Sequence, residues 1–242
     1  MRLGFLGCGT IAAAVVRALA GQGHQITVSE RSTQVSSALA EEFGDVTVAS
    51  NQSVLAQSDI VFLGLIAASA PDILTELQFR REHRVISFMP DLTLKRVTAL
   101  VTPAQANAIM LPFPSIAQGG SPILAMGEGN LLRALFEPRD QVFLLEGQAE
   151  LNAYLAAQAV LSPVALMVAE AGQWLGAHIA DTDRGKAFLR QLVSGCLADM
   201  KAEDLVQSLN TPGGYNQRLR QHLEADGMVA SLKEGLRQLK NN

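Results

Sequence analysis

Gly7, Gly9 and Ala12 take the first, third and sixth places of Gly7-Cys8-Gly9-Thr10-Ile11-Ala12, between the apolar run Leu3-Gly4-Phe5-Leu6 and the helix-forming segment Ala13 to Leu19. Glycines at that spacing, between a strand and a helix, bring a diphosphate within reach of main-chain amides. Gly7 permits the tight turn, Gly9 lets the backbone come close to the ligand, and the small Ala12 lets helix and strand pack. Around Thr10 and Ile11 the new helix offers free N–H groups and its positive dipole end. The same residues are also compatible with a glycine-rich corner that holds no nucleotide.

A second constellation is Ser29-Glu30-Arg31-Ser32, after the next apolar run. An acidic residue at a strand's end pairs with the ribose hydroxyls of NAD, while arginine and serine just beyond it bind the 2′-phosphate of NADP. Both signals are present, and Glu30 reads equally as an exposed strand-end charge. His24, His83, His178 and His222 show no metal-ligand spacing, and Cys8 and Cys196 stand far apart, so no metal site is expected.

The elements that must position these residues follow from hydropathy. Strands are expected at 2–6, 25–29, 46–49, 60–65, 84–88, 107–111, 122–126 and 141–145, with helices near 11–20, 33–43, 53–57, 70–78, 94–100 and 130–135. Near-continuous apolar runs such as Ile60-Val61-Phe62-Leu63-Gly64-Leu65 fit strands of a parallel sheet buried on both faces. After Gly147 strand signals stop. A long helical stretch, 150–179, is expected to break or kink around Ser162-Pro163, and a second, 183–200, to be capped by Asp181 or Asp183. Shorter helices follow, separated by Thr211-Pro212-Gly213-Gly214 and Asp226-Gly227. The expected fold is therefore α/β: a Rossmann-like dinucleotide-binding domain over residues 1–147, then an all-α dimerisation and substrate domain over 148–242. Leu155, Val160, Leu161, Val164, Leu166, Met167, Val168, Trp174 and Leu175 nearly encircle their helix. Such a helix is covered on most sides, by a second subunit or by its own monomer.

A net charge of −4 and a pI near 5.6 argue against a nucleic-acid or anionic-membrane surface. No apolar run approaches the roughly 18–20 residues a bilayer crossing needs, so no membrane partner is expected. The first apolar run ends too early for a secretory leader, and a cytoplasmic setting is expected.

The string Leu209-Asn210-Thr211-Pro212-Gly213-Gly214-Tyr215-Asn216-Gln217-Arg218-Leu219, followed by Leu223-Glu224-Ala225-Asp226-Gly227-Met228, resembles the hallmark of pyrroline-5-carboxylate reductases. There S-P-G-G-T-T precedes a helix ending in L-E-x-x-G-F. The start of the chain, Leu3 to Ala12, is similar to the family's I-G-F-I-G-x-G-N-M-A, so the resemblance spans nearly the whole chain. It implies a two-domain enzyme that passes hydride from NAD(P)H to a cyclic imine, giving proline from 1-pyrroline-5-carboxylate. The helical domains of two subunits would intertwine in a homodimer or higher homo-oligomer. At Arg31-Ser32 the resemblance favours NADP over NAD, and it adds Leu65 to the cofactor-contacting residues. It places Thr211, Tyr215, Asn216 and Ser162 at the catalytic site. The amides of Gly213 and Gly214, at a helix N-terminus, would anchor the substrate carboxylate.

Departures from the family cluster at the expected pocket. Its V-K-P becomes Leu65-Ile66-Ala67, its A-A-G becomes Met89-Pro90-Asp91, and its R-x-M-P-N-T-P gives way to Ile109-Met110-Leu111-Pro112-Phe113-Pro114-Ser115. S-G-S-x-P-A-Y is reduced to Ala159-Val160-Leu161-Ser162-Pro163-Val164-Ala165, and the paired threonines become Tyr215 and Asn216. Ser162 reads either as a helix cap or kink or as a substrate contact, and Thr211 as a helix N-terminal residue or a contact. Three functions remain open: reduction of pyrroline-5-carboxylate, reduction of another imine or small carbonyl compound, and nucleotide binding without turnover in a degenerate dimer.

Overall fold

In the computed structural model, which describes residues 1–240, the chain divides into two compact units, Met1–Glu150 and Leu151–Asn242. The first alternates β1 (Arg2–Leu6), α1 (Thr10–Leu19), β2 (Gln25–Ser29), α2 (Thr33–Glu42), β3 (Val46–Ala49), α3 (Asn51–Gln57), β4 (Ile60–Leu63) and α4 (Ala70–Leu74). It continues through β5 (Arg84–Ser87), α5 (Leu94–Leu100), β6 (Gln105–Pro112), β7 (Pro122–Gly127), α6 (Gly129–Phe136) and β8 (Gln141–Leu144). The strands form one sheet in the order β3-β2-β1-β4-β5-β6-β7-β8. Every neighbouring pair is parallel except β6 and β7. The link Phe113–Ser121 between those two is too short for the crossover that parallel neighbours need, so the chain reverses there.

Alternation along the central strands feeds both faces of this sheet. Ile60 and Phe62 of β4 join Leu3 and Phe5 of β1 in a cluster that packs on α1 and α6, while Val61 and Leu63 join Leu6 and Val85 in a second cluster against α3 and α5. Phe5 and Phe62 stack with ring centroids 4.5 Å apart. Burying a side chain of that size contributes about 1.5–3 kcal/mol, so the apolar runs of β1 and β4 fix the middle of the sheet. α1 lies flat on the first cluster through Ala12 to Val16, Ala18 and Leu19. Arg139 ties the last turn of α1 to the segment after β6, donating to the carbonyls of Ala18 and Ala117.

Six helices follow: α7 (Gln148–Gln158), α8 (Leu161–Gly176), α9 (Thr182–Asp199), α10 (Ala202–Ser208), α11 (Tyr215–Ala225) and α12 (Met228–Lys240). The break between α7 and α8 falls at Ala159-Val160, ahead of the expected Ser162-Pro163. Pro163 lies in the first turn of α8, where its missing N–H costs no hydrogen bond. Asp181 caps α9, accepting from the Arg184 amide at 3.0 Å. α8 and α9 approach closely where glycines remove the side chain: a Cβ on Gly185 would lie 3.0 Å from Leu175, and one on Gly172 3.1 Å from Lys186. Those two glycines are the buried residues of α8 and α9, and α10, α11 and α12 have none. No uninterrupted apolar run reaches that length, yet the stretch Gln148–Gly176 holds an 18-residue window of mean hydropathy 1.6, long and apolar enough to cross a membrane by length and composition. The polar residues that interrupt its apolar run, among them Glu150, Gln158, Ser162 and Glu170, hide this from a search for unbroken segments.

Candidate functional site

β1 has β2 on one side and β4 on the other, and the chain leaves these strands in opposite directions across the sheet. That switch point opens a crevice beyond the carboxyl ends of the strands, where open α/β sheets bind ligands. Gly7 is the first residue beyond β1. Its φ of +85° is a conformation side chains rarely adopt, and a Cβ there would fall 2.4 Å from the Gly64 carbonyl oxygen. Gly64, just beyond β4, answers it: its own Cβ would lie 2.7 Å from the Gly7 oxygen and 3.0 Å from Ala12 Cβ. Leu65, half-buried, closes over the same spot. The Gly7 amide donates to Ser29 Oγ at 2.9 Å, and the Gly64 amide to the Leu6 carbonyl at 2.8 Å.

Gly9 serves a different purpose. It is the N-cap of α1 with φ −78° and ψ −174°, ordinary backbone for any residue, and a Cβ on it would meet nothing within 4 Å. Here absence of a side chain opens space toward solvent and relieves no clash within the protein. No side chain caps α1 and its first turn carries no acid. Ala13 donates to the Gly9 carbonyl at 2.9 Å, which leaves the amides of Thr10, Ile11 and Ala12 without acceptors inside the helix. Burial pushes the Cys8 thiol up to about 11, so it stays neutral and adds no negative charge to the loop. A main-chain cradle with a positive dipole end and an open floor fits a diphosphate.

Beyond β2 the chain makes a short 3-10 turn, Glu30–Ser32, starting directly from Ser29. Glu30 and Arg31 are exposed, and among the described residues neither joins an ion pair. Gly7, Gly9, Thr10, Ile11, Ala12, Leu65, Glu30, Arg31 and Ser32 thus gather at the carboxyl edge of three adjacent strands.

In the helical unit, Thr211-Pro212-Gly213-Gly214 forms a tight turn before α11. The Gly214 amide donates to the Thr211 carbonyl at 3.0 Å, and Gly213 takes φ +73°, as a turn with proline second and glycine third requires. Thr211 therefore opens the turn and is not a helix N-terminal residue. The expectation that Gly213 and Gly214 present free amides is also corrected, because the Gly213 amide donates to Gln217 Oε1 at 2.8 Å. The amides left without helical acceptors are those of Tyr215, Asn216 and Gln217. Tyr215, the first residue of α11, is 90% exposed. Ser162 is the second residue of α8, exposed, and does not cap it: the N-cap is Val160, without a side-chain bond.

Sequence reasoning passed over several residues that shape these features. Gly64 and Ser29 fix Gly7, and Asn210 braces the turn by accepting from Gln217 Nε2 at 3.1 Å and from Arg220 Nη2 at 2.6 Å. Glutamine three residues into a helix after a turn is a recognisable reach-back signal. A glycine after β4 facing one after β1 is legible only once the two strands are known to be neighbours.

Comparison with known proteins agrees with this architecture. Residues 2–91 match the family described as NADP oxidoreductase coenzyme F420-dependent. No curated protein sequence matches the chain. Among solved structures, 1-pyrroline-5-carboxylate reductase of Streptococcus pyogenes superposes with a TM-score of 0.81 at 19% identity, over 100% of this chain and 97% of that one. Plasmodium falciparum pyrroline carboxylate reductase with NADP bound gives 0.82 at 13% identity, over 100% and 96%. The imine reductase of a Pseudomonas species gives 0.63 at 18% identity, over 99% and 90%. The chain therefore has the fold of the pyrroline-5-carboxylate reductases over its whole length, and its first 91 residues carry an NADP-oxidoreductase signature.

Proposed function

We propose that the protein is an NADPH-dependent reductase of a carbon–nitrogen double bond, nominally that of 1-pyrroline-5-carboxylate. The observation that carries this reading is the space over Gly9 at the β1/β4 switch point, ringed by amides with no internal acceptor. The nucleotide supplies hydride when bound. The chain's own residues hold it: amides of Thr10 to Ala12 on the diphosphate, Arg31 and Ser32 on a 2′-phosphate, Glu30 on ribose hydroxyls, and Leu65 beside the loop. NADP suits Arg31-Ser32 better, and NAD remains the second cofactor. The names of the structural relatives, two pyrroline carboxylate reductases and an imine reductase, support a C=N substrate.

An iminium carbon is already electrophilic, so the protein must mainly orient it and hold its substituents. We assign that task to Tyr215, Asn216 and the first amides of α11, with Thr211, Gly213 and Gly214 shaping the turn that presents them and Ser162 as a further contact. A second reading, a different imine or small carbonyl substrate, is favoured by the lysine-free segment Leu65-Ile66-Ala67, in which Ile66 is 75% exposed. We further propose that residues 1–147 serve as the nucleotide-binding domain and 148–242 as the dimerisation domain of a cytoplasmic homodimer. The apolar surface of α7 and α8 then faces a second copy and not a bilayer.

The test is NADPH oxidation by the purified protein with a panel of imines. Turnover of pyrroline-5-carboxylate at low concentration supports the nominal reading, and turnover confined to other imines or carbonyl compounds supports the second. Nucleotide binding with no turnover on any of them would contradict both and leave a degenerate nucleotide-binding dimer.

A further inference from the structure

We propose that Ser29 is a positioning residue for nucleotide binding, one hydroxyl that holds the diphosphate loop and the ribose-reading turn in register. The inference rests on the NADPH reading above and adds to it a residue outside the cradle itself.

Ser29 is the last residue of β2, fully buried, and its Oγ accepts the Gly7 amide at 2.9 Å. Gly7 is where the chain turns out of β1 through a left-handed conformation, and the direction of its peptide sets where the following amides point. Gly64 leaves it no freedom on the other side, since the two glycine backbones are already at contact. Remove the hydroxyl and the Gly7 N–H is buried without an acceptor. The peptide regains one only by rotating, which carries the Gly9–Ala12 amides with it. Ser29 is also the residue from which the Glu30–Ser32 turn departs. The two segments assigned to the diphosphate and to the ribose 2′ position are thus joined by this one hydrogen bond. The main-chain pairing of β1 with β2 ends at Phe5 and Val28, two residues before Gly7 and two before Glu30.

A residue that only satisfied a buried amide would cost stability when replaced and leave affinity intact in the protein that stays folded. A positioning residue changes affinity. Calorimetric titration of the full-length protein with NADPH and with NADH, well below the melting temperature, separates the two. Ser29→Ala is expected to weaken NADPH binding on the order of tenfold, the range for a buried N–H that loses its acceptor, and to narrow the preference between NADPH and NADH. Ser29→Thr, which keeps the hydroxyl, is expected to remain within about threefold of wild type. Unchanged affinity in Ser29→Ala, or equal losses in both variants, overturns the inference while leaving the function standing. A wild-type protein that binds neither nucleotide overturns the function itself.

Discussion

The sheet unit and the helical unit solve the problem of apolar surface in opposite ways. In the first, Leu3, Phe5, Leu63 and Ile86 are fully buried between helices of the same chain. In the second, Trp174 is 67%, Leu161 65% and Leu219 62% exposed, and the buried positions of α8 and α9 are glycines. Helices that bury so little of their own surface gain little stability in isolation. The lesson is that residues 1–150 carry an interior of their own, whereas the later helices leave much of their apolar surface exposed in the single chain, the surface the proposed second copy would cover.

The largest expected effect breaks that contrast directly. The double variant Leu161→Glu with Leu166→Glu places charge on the apolar face of α8 and should weaken self-association by at least about a hundredfold. Sedimentation equilibrium that shows the same molar mass as wild type would remove the second-copy account. In the sheet unit the comparable insult is steric. Gly64→Val forces a side chain against the Gly7 carbonyl and Ala12 and should cost about 2–3 kcal/mol in urea unfolding, whereas Gly235→Val, in open space on α12, should cost less than about 1 kcal/mol.

A smaller effect separates the units by pH. His83, just before β5, is buried, accepting the Arg80 amide at 3.0 Å and standing 3.0 Å from the Leu55 carbonyl, which assigns the proton to Nε2. Burial, and then the neighbouring Arg80, lower its pKa from the usual 6.5. The folded protein thus binds this proton less tightly than the unfolded chain. Its stabilising share is whole above the unfolded value and is lost as pH falls through the folded one. The melting temperature should drop from about pH 7 to about pH 5, and His83→Gln should flatten that drop. Smallest of all, the Cys8 thiol, raised to about 11 by burial, should resist a thiol reagent near pH 8 until the sheet unit unfolds, in a Cys196→Ser background.

Much of the sheet was legible in sequence because most strands, β1 to β5 and β7, are short apolar runs closed by glycine or serine. β1, β2 and β3 end where the hydropathy ends. β4 stops at Leu63 and not Leu65 because Gly64 and Leu65 leave the ladder to close over Gly7. The antiparallel entry of β7 left no trace in hydropathy, since a strand reads the same in either direction. At the site, the glycine spacing was legible because it is a backbone requirement written in residue type. Ser29 was not, since a serine at a strand's end looks alike whether it meets solvent or an amide. The free amides assigned to Gly213 and Gly214 were misplaced because Gln217 reaches back to the first and the turn's own Thr211 carbonyl takes the second; the glutamine was a legible signal, the turn's main-chain bond was not.

Gly7 and Gly9 together give the most direct test. Gly7 is glycine for the protein's sake, while Gly9 has ordinary dihedrals and open space, so a side chain there should trouble only what approaches from outside. Calorimetry with NADPH on wild type and Gly9→Val is the decisive measurement. The account predicts tight binding to wild type and none measurable to Gly9→Val, with the melting temperature unchanged; a Gly9→Val protein that binds NADPH as well as wild type would contradict it.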